Sequence, residues 1–63
     1  MPIMQVFLLE GRTDDQKAAL IAELTKAAVR TVDVKEESVR VIITDMPGQN
    51  FGIAGQSAKK LKR

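Results

Sequence analysis

The chain has 63 residues, 44% of them apolar, with ten Lys or Arg against eight Asp or Glu for a net charge of +2. It contains no cysteine and no histidine, which excludes disulfides and ordinary zinc or iron sites. A core of this length rarely supplies more than ~3–5 kcal/mol alone, so oligomerisation is the remaining supplement.

The first element is "PIMQVFLL" (2–9), a short apolar run that stops at Glu10-Gly11 and reads as a strand buried on both faces. Pro2 at its start is tolerated because no ladder donor is needed there. In "TDDQ", Thr13 and Gln16 have capping-box spacing, while Asp14 and Asp15 suit the positive end of a helix dipole. The helix extends to about Val32. Leu20, Ile21, Leu24, Ala27, Ala28 and Thr31 form its apolar stripe. Lys17 and Lys26 are expected to be exposed.

"DVKEES" (33–38) is a polar connection, and "VRVIITD" (39–45) is a second strand rich in β-branched residues. "MPGQN" (46–50) reads as a loop from its Pro-Gly pair. "FGIAG" (51–55) suits a short hairpin or an edge segment, and 56–63 is either one helical turn or a frayed tail. The basic end "KKLKR" is read as a solvated face, since no aromatic stacking platform accompanies it; nucleic acid is not an expected partner. No apolar run reaches ~18 residues and no signal peptide is present, so no membrane partner is expected and the cytoplasm is the expected compartment.

Strand, helix and strand with a crossover of this length make a right-handed βαβ unit with parallel strands. The expected class is therefore α/β (α+β) over a single domain, 1–63. One helix covers one face of a two-stranded sheet. The other face needs a second copy of the chain, so a multimer is expected.

Few groups are suited to acid–base chemistry. The carboxylates show no catalytic spacing. The amino terminus is the one group whose pKa starts near neutrality, at ~7.7–8.0 for an ordinary α-amine. If Met1 is removed, Pro2 supplies a secondary amine. Burial in an apolar site and nearby cations both disfavour its ammonium form, which moves the base toward a useful working range. Arg12 and Arg40 are available as such cations, and an arginine grips a carboxylate with two parallel hydrogen bonds. From the residues alone each reads first as a surface charge or as the partner of Glu10 or Asp45. If 2–9 is extended, Pro2 and Arg12 of one chain lie more than ~20 Å apart at ~3.3 Å per residue. A substrate touching both must lie between subunits. Arg40 falls at the same end of the strands as Pro2.

"PIMQVFLLEGRTDDQK", "SVRVIITDM" and "FGIAG" together resemble the 4-oxalocrotonate tautomerase family, in its small-subunit form, over essentially the whole chain. The resemblance implies a β-α-β subunit with a short C-terminal hairpin, assembled as a hexamer (a trimer of dimers), here a homohexamer. It implies an isomerase that moves a proton within a small acidic substrate, such as 2-hydroxymuconate, in the breakdown of aromatic compounds. Pro2 is then the catalytic amine, Arg12 the binder of the far carboxylate from a neighbouring subunit, and Arg40 the holder of the near carboxylate and 2-oxygen, also from another subunit. Phe51 resembles the apolar wall that keeps the site dry, with Leu9 and Ile53 beside it. No cofactor is expected. Asp15 stands where a Glu is common, and Pro47 marks an unusual loop, which bears on substrate preference. The alternatives are another proline-based activity, dehalogenation or decarboxylation, or a non-catalytic subunit of a mixed hexamer. Ile53 stands near the position where dehalogenating relatives carry an acid, and it cannot activate water.

Overall fold

In the computed structural model, which describes residues 1–63, strand β1 (Ile3–Leu9) begins directly after Pro2. The proline needs no ladder donor there; its carbonyl instead accepts from the Arg40 amide at 3.0 Å. β1 pairs in parallel with β2 (Arg40–Met46), in a register that runs from Ile3 opposite Arg40 to Leu9 opposite Met46. Helix α1 (Asp14–Val32) connects them. Thr13 and Gln16 close the expected capping box: the Gln16 amide donates to Thr13 Oγ1 at 3.1 Å, and the Thr13 amide to Gln16 Oε1 at 2.9 Å. Asp33 ends the helix in the left-handed region at φ 58°, a conformation its short polar side chain tolerates.

The faces of the sheet differ. Met4, Val6 and Leu8 alternate with exposed residues along β1, as do Val41 and Ile43 along β2, and these half-buried positions lie under the helix. Leu20, Leu24, Ala27 and Ala28 are the covered part of the helical stripe. Ile21 and Thr31 are exposed, contrary to the sequence reading. Two strands ~4.8 Å apart form a floor narrower than the stripe, so its edges overhang. Lys17 also differs from expectation. It is half-buried, and its Nζ lies 2.5 Å from Asp45 Oδ2, which ties the first turn of α1 to the end of β2.

On the opposite face Ile3, Phe7 and Ile42 stand 50%, 62% and 46% exposed. β1 is therefore buried on one face only within a single chain, where the sequence suggested two. The radius of gyration is 14.5 Å, against about 11 Å for a self-contained domain of this length. The accessible area of 4934 Å² exceeds the roughly 4,000 Å² expected for a monomer of this mass. One chain alone leaves much of its apolar surface in water.

The connections carry more structure than their composition suggested. "DVKEES" contains a 3-10 turn at Glu36–Ser38 and "MPGQN" another at Gly48–Asn50. Residues 52–57 form a hairpin of β3 (Gly52–Ile53) and β4 (Gln56–Ser57). Its two-residue loop has positive φ at both Ala54 and Gly55, the type I′ pattern that matches strand twist. One helical turn follows. The Arg63 amide donates to the Ala58 carbonyl and the Lys62 amide to that of Lys59, with Lys62 left-handed, which is a Schellman closure.

Candidate active site

The six expected site residues divide between the two ends of the sheet. Pro2 and Arg40 lie at the amino ends of the parallel strands, joined by the bond from the Arg40 amide to the Pro2 carbonyl. Next to them the Met1 ammonium donates to the Ser38 carbonyl at 2.7 Å. Arg40 shares the uncovered face with Ile3 and is exposed. Its Nη1 donates to the carbonyls of Glu37 at 2.5 Å and Val39 at 3.3 Å.

Leu9 and Arg12 lie at the far end. Gly11 makes the turn between them at φ 115°, a backbone conformation that strains any side-chain-bearing residue. Arg12 is exposed, and its Nη1 donates to the Leu9 carbonyl at 3.4 Å. The Phe51 hairpin is rooted at the same end. Gly48, two residues beyond β2, accepts through its carbonyl from the Phe51 amide at 3.3 Å and the Lys59 amide at 3.2 Å. A Cβ on Gly48 would stand 3.2–3.3 Å from the Lys59 backbone, so a side chain at this buried position would push Lys59 aside by a few tenths of an ångström. Phe51 and Ile53 are each half-buried.

Both arginines lack a carboxylate partner. The chain's two ion pairs are Lys17–Asp45 and Lys26–Glu23. Asp45 is taken by Lys17, and the Glu10 carboxylate accepts from the Gly48 amide at 3.0 Å. The reading of Arg12 or Arg40 as a salt-bridge partner of Glu10 or Asp45 is thereby set aside. Two guanidiniums satisfied only by backbone carbonyls retain donors for an anion.

Pro2 stands seven strand residues away from the Leu9–Arg12 end, and a single chain encloses no pocket. What applies to Arg12 therefore applies equally to Phe51, Leu9 and Ile53. Sequence reasoning foresaw the separation of Pro2 from Arg12. It missed that the whole apolar wall lies at the far end, because nothing in the spacing of 51–55 says where the hairpin is anchored.

A family model described as "Tautomerase enzyme" matches residues 2–61. The chain belongs to the tautomerase family. A 2-hydroxymuconate tautomerase of Pseudomonas putida is 54% identical to it over the full length of both chains. Among solved structures, a 4-oxalocrotonate tautomerase isozyme of Methylibium petroleiphilum superposes with a TM-score of 0.94 at 44% identity, covering 97% of this chain and 95% of that one. A heterohexameric 4-oxalocrotonate tautomerase of Chloroflexus aurantiacus gives 0.92 at 36% identity, covering 97% and 98%. The chain is thus an isomerase, and tautomerisation is the relocation of a proton with a shift of double bonds. No helix is long and apolar enough to cross a membrane.

Proposed function

We propose that this tautomerase interconverts 2-hydroxymuconate-like dienols with their conjugated 2-oxo isomers, with the Pro2 amine carrying the proton. The observation that carries the reading is the pair of guanidiniums without carboxylate partners. Two such forks suit a dicarboxylate. The curated relative named for this substrate supports the choice.

With Met1 attached, the Pro2 nitrogen is an amide and has no lone pair to offer. Removal of Met1 leaves a secondary amine. That amine takes the proton of the 2-hydroxyl group and returns it to C5. The C2–C3 and C4–C5 double bonds become a C2 carbonyl and a C3–C4 double bond, so atoms and electrons balance. Arg40 holds the near carboxylate and the 2-oxygen, where charge develops, and Arg12 holds the far carboxylate. Phe51, Leu9 and Ile53 exclude water, which disfavours the ammonium and lowers the amine's pKa from that of a free proline.

The acting unit is a homohexamer, a trimer of dimers, whose sites combine Pro2 of one chain with the Arg12 and Phe51 end of a neighbour and with Arg40, also from another subunit. The open face bearing Ile3, Phe7 and Ile42 supports assembly. So does the hexameric organisation named for the Chloroflexus relative. The test joins intact mass, a pH–rate profile on 2-hydroxymuconate and ¹⁵N titration of Pro2. Activity only in material lacking Met1, with an amine pKa below that of free proline, supports the reading. Full activity with Met1 wholly retained overturns it.

A further inference from the structure

The mechanism above gives no part to Glu10, although this acidic side chain is joined to both halves of the far end of the sheet. Glu10 follows β1 directly, and its amide donates to the Met46 carbonyl at 2.9 Å, continuing the ladder. Its carboxylate Oε2 accepts from the Gly48 amide at 3.0 Å. The Gly48 amide is the first of its 3-10 turn, where intrahelical acceptors are absent. The Gly48 carbonyl in turn accepts from Phe51 and Lys59. Arg12 lies only two residues from Glu10, across the single pivot of Gly11.

We infer that Glu10 is a positioning residue that couples the Arg12 turn to the Phe51 hairpin, so that the carboxylate fork and the apolar wall meet a substrate as one unit. The inference rests on the site reading given above. The charge of Glu10 is directed to a backbone amide rather than to Arg12, so the guanidinium two residues away stays free for the substrate. The hairpin has only two residues in each strand and depends on its root for placement. The route from the Arg12 turn to that root passes through the carboxylate and Gly48, which packs closely against the Lys59 backbone.

The test compares Glu10→Ala and Glu10→Gln with Phe51→Ala and Arg12→Ala in the assembled, Met1-free enzyme. Glu10→Ala should raise KM about tenfold and move the acid limb of the kcat/KM profile to higher pH, in the direction of Phe51→Ala. Exchange of the Gly48 amide, read by ¹⁵N NMR, should quicken at least about tenfold. Glu10→Gln retains an acceptor oxygen at the same reach and should restore both kinetic readouts. In a Phe51→Ala background, Glu10→Ala should add no further shift to the pH profile. A purely structural role would lower Tm without moving the pH profile. Should Glu10→Ala fail to assemble, Glu10→Asp, one methylene shorter, carries the same comparison. Wild-type KM and pH profile in the Glu10 variants, with Phe51→Ala and Arg12→Ala both altered, overturns the coupling and leaves the site reading intact. Wild-type behaviour in all of them overturns both.

Discussion

The two ends of the sheet are built by different means. At the amino ends, Pro2 and Arg40 are fixed by strand pairing itself, through the bond from the Arg40 amide to the Pro2 carbonyl. At the carboxyl ends, Leu9, Arg12, Phe51 and Ile53 are held by a turn, a two-by-two hairpin and one carboxylate bound to Gly48. A parallel ladder places residues at one edge automatically, since register does the work. Gathering a loop and a hairpin at the other edge takes specific side-chain acceptors and a position without a Cβ. Each end carries part of what the proposed chemistry needs, and their separation makes assembly a condition of that chemistry.

Blocking the amino end should have the largest effect. An additional residue ahead of Pro2 acylates its nitrogen, and steady-state activity should fall by at least ~10²–10⁴-fold, the usual contribution of a positioned base. Nearly as severe is separation of the ends. Phe7→Asp together with Ile42→Asp puts charge on the open face, so sedimentation should show dissociation and activity should become strongly dependent on protein concentration.

Arginine substitutions sharpen the contrast between the ends. Arg40→Ala should lower kcat by ~10²–10³, because the proposed mechanism aims this donor at charge that develops on the 2-oxygen. Arg12→Ala should act mainly on KM, raising it ~10–100-fold, because in the proposed site it binds the far carboxylate in both ground and transition states. Equal kinetics in both variants and wild type would return the arginines to the role of surface charges.

A subtler effect is expected at Phe51. In the proposed site its side chain withholds water from the ammonium and so lowers the amine's pKa. Phe51→Ala admits water and raises that pKa. The amine then stays protonated to higher pH, and the acid limb of the kcat/KM profile moves upward. The smallest effect belongs to Asp45→Asn, which breaks the ion pair with Lys17. The two side chains are 25% and 44% exposed, so solvent screening limits the loss to ~1 kcal/mol or less, readable in urea unfolding.

The unit β1–α1–β2 was legible because its signals are local and periodic. The capping box at Thr13 and Gln16, the β-branched run read at 39–45 and found at 40–46, and the crossover length each describe neighbours in the chain. Register followed from parallel pairing, which put Arg40 beside Pro2 and Arg12 far from it. The open apolar face was legible as well, by counting one helix against two faces.

What only the tertiary structure decided lies in contacts between residues far apart in sequence. Composition and spacing suggested an exposed Lys17, whereas it is half-buried and its partner Asp45 stands 28 residues away. The edges of the helical stripe, Ile21 and Thr31, overhang because the width of the sheet is not written in the helix. Glu10 read as a strand-end charge and a possible partner for Arg12; its acceptor role toward Gly48 spans 38 residues and depends on how β2 ends. The location of Phe51 and Ile53 likewise depends on the Gly48 carbonyl and the close Lys59 backbone. Periodicity reports which face of an element turns inward. It does not report where a loop's hydrogen bonds go, because those donors and acceptors meet only once the elements have packed.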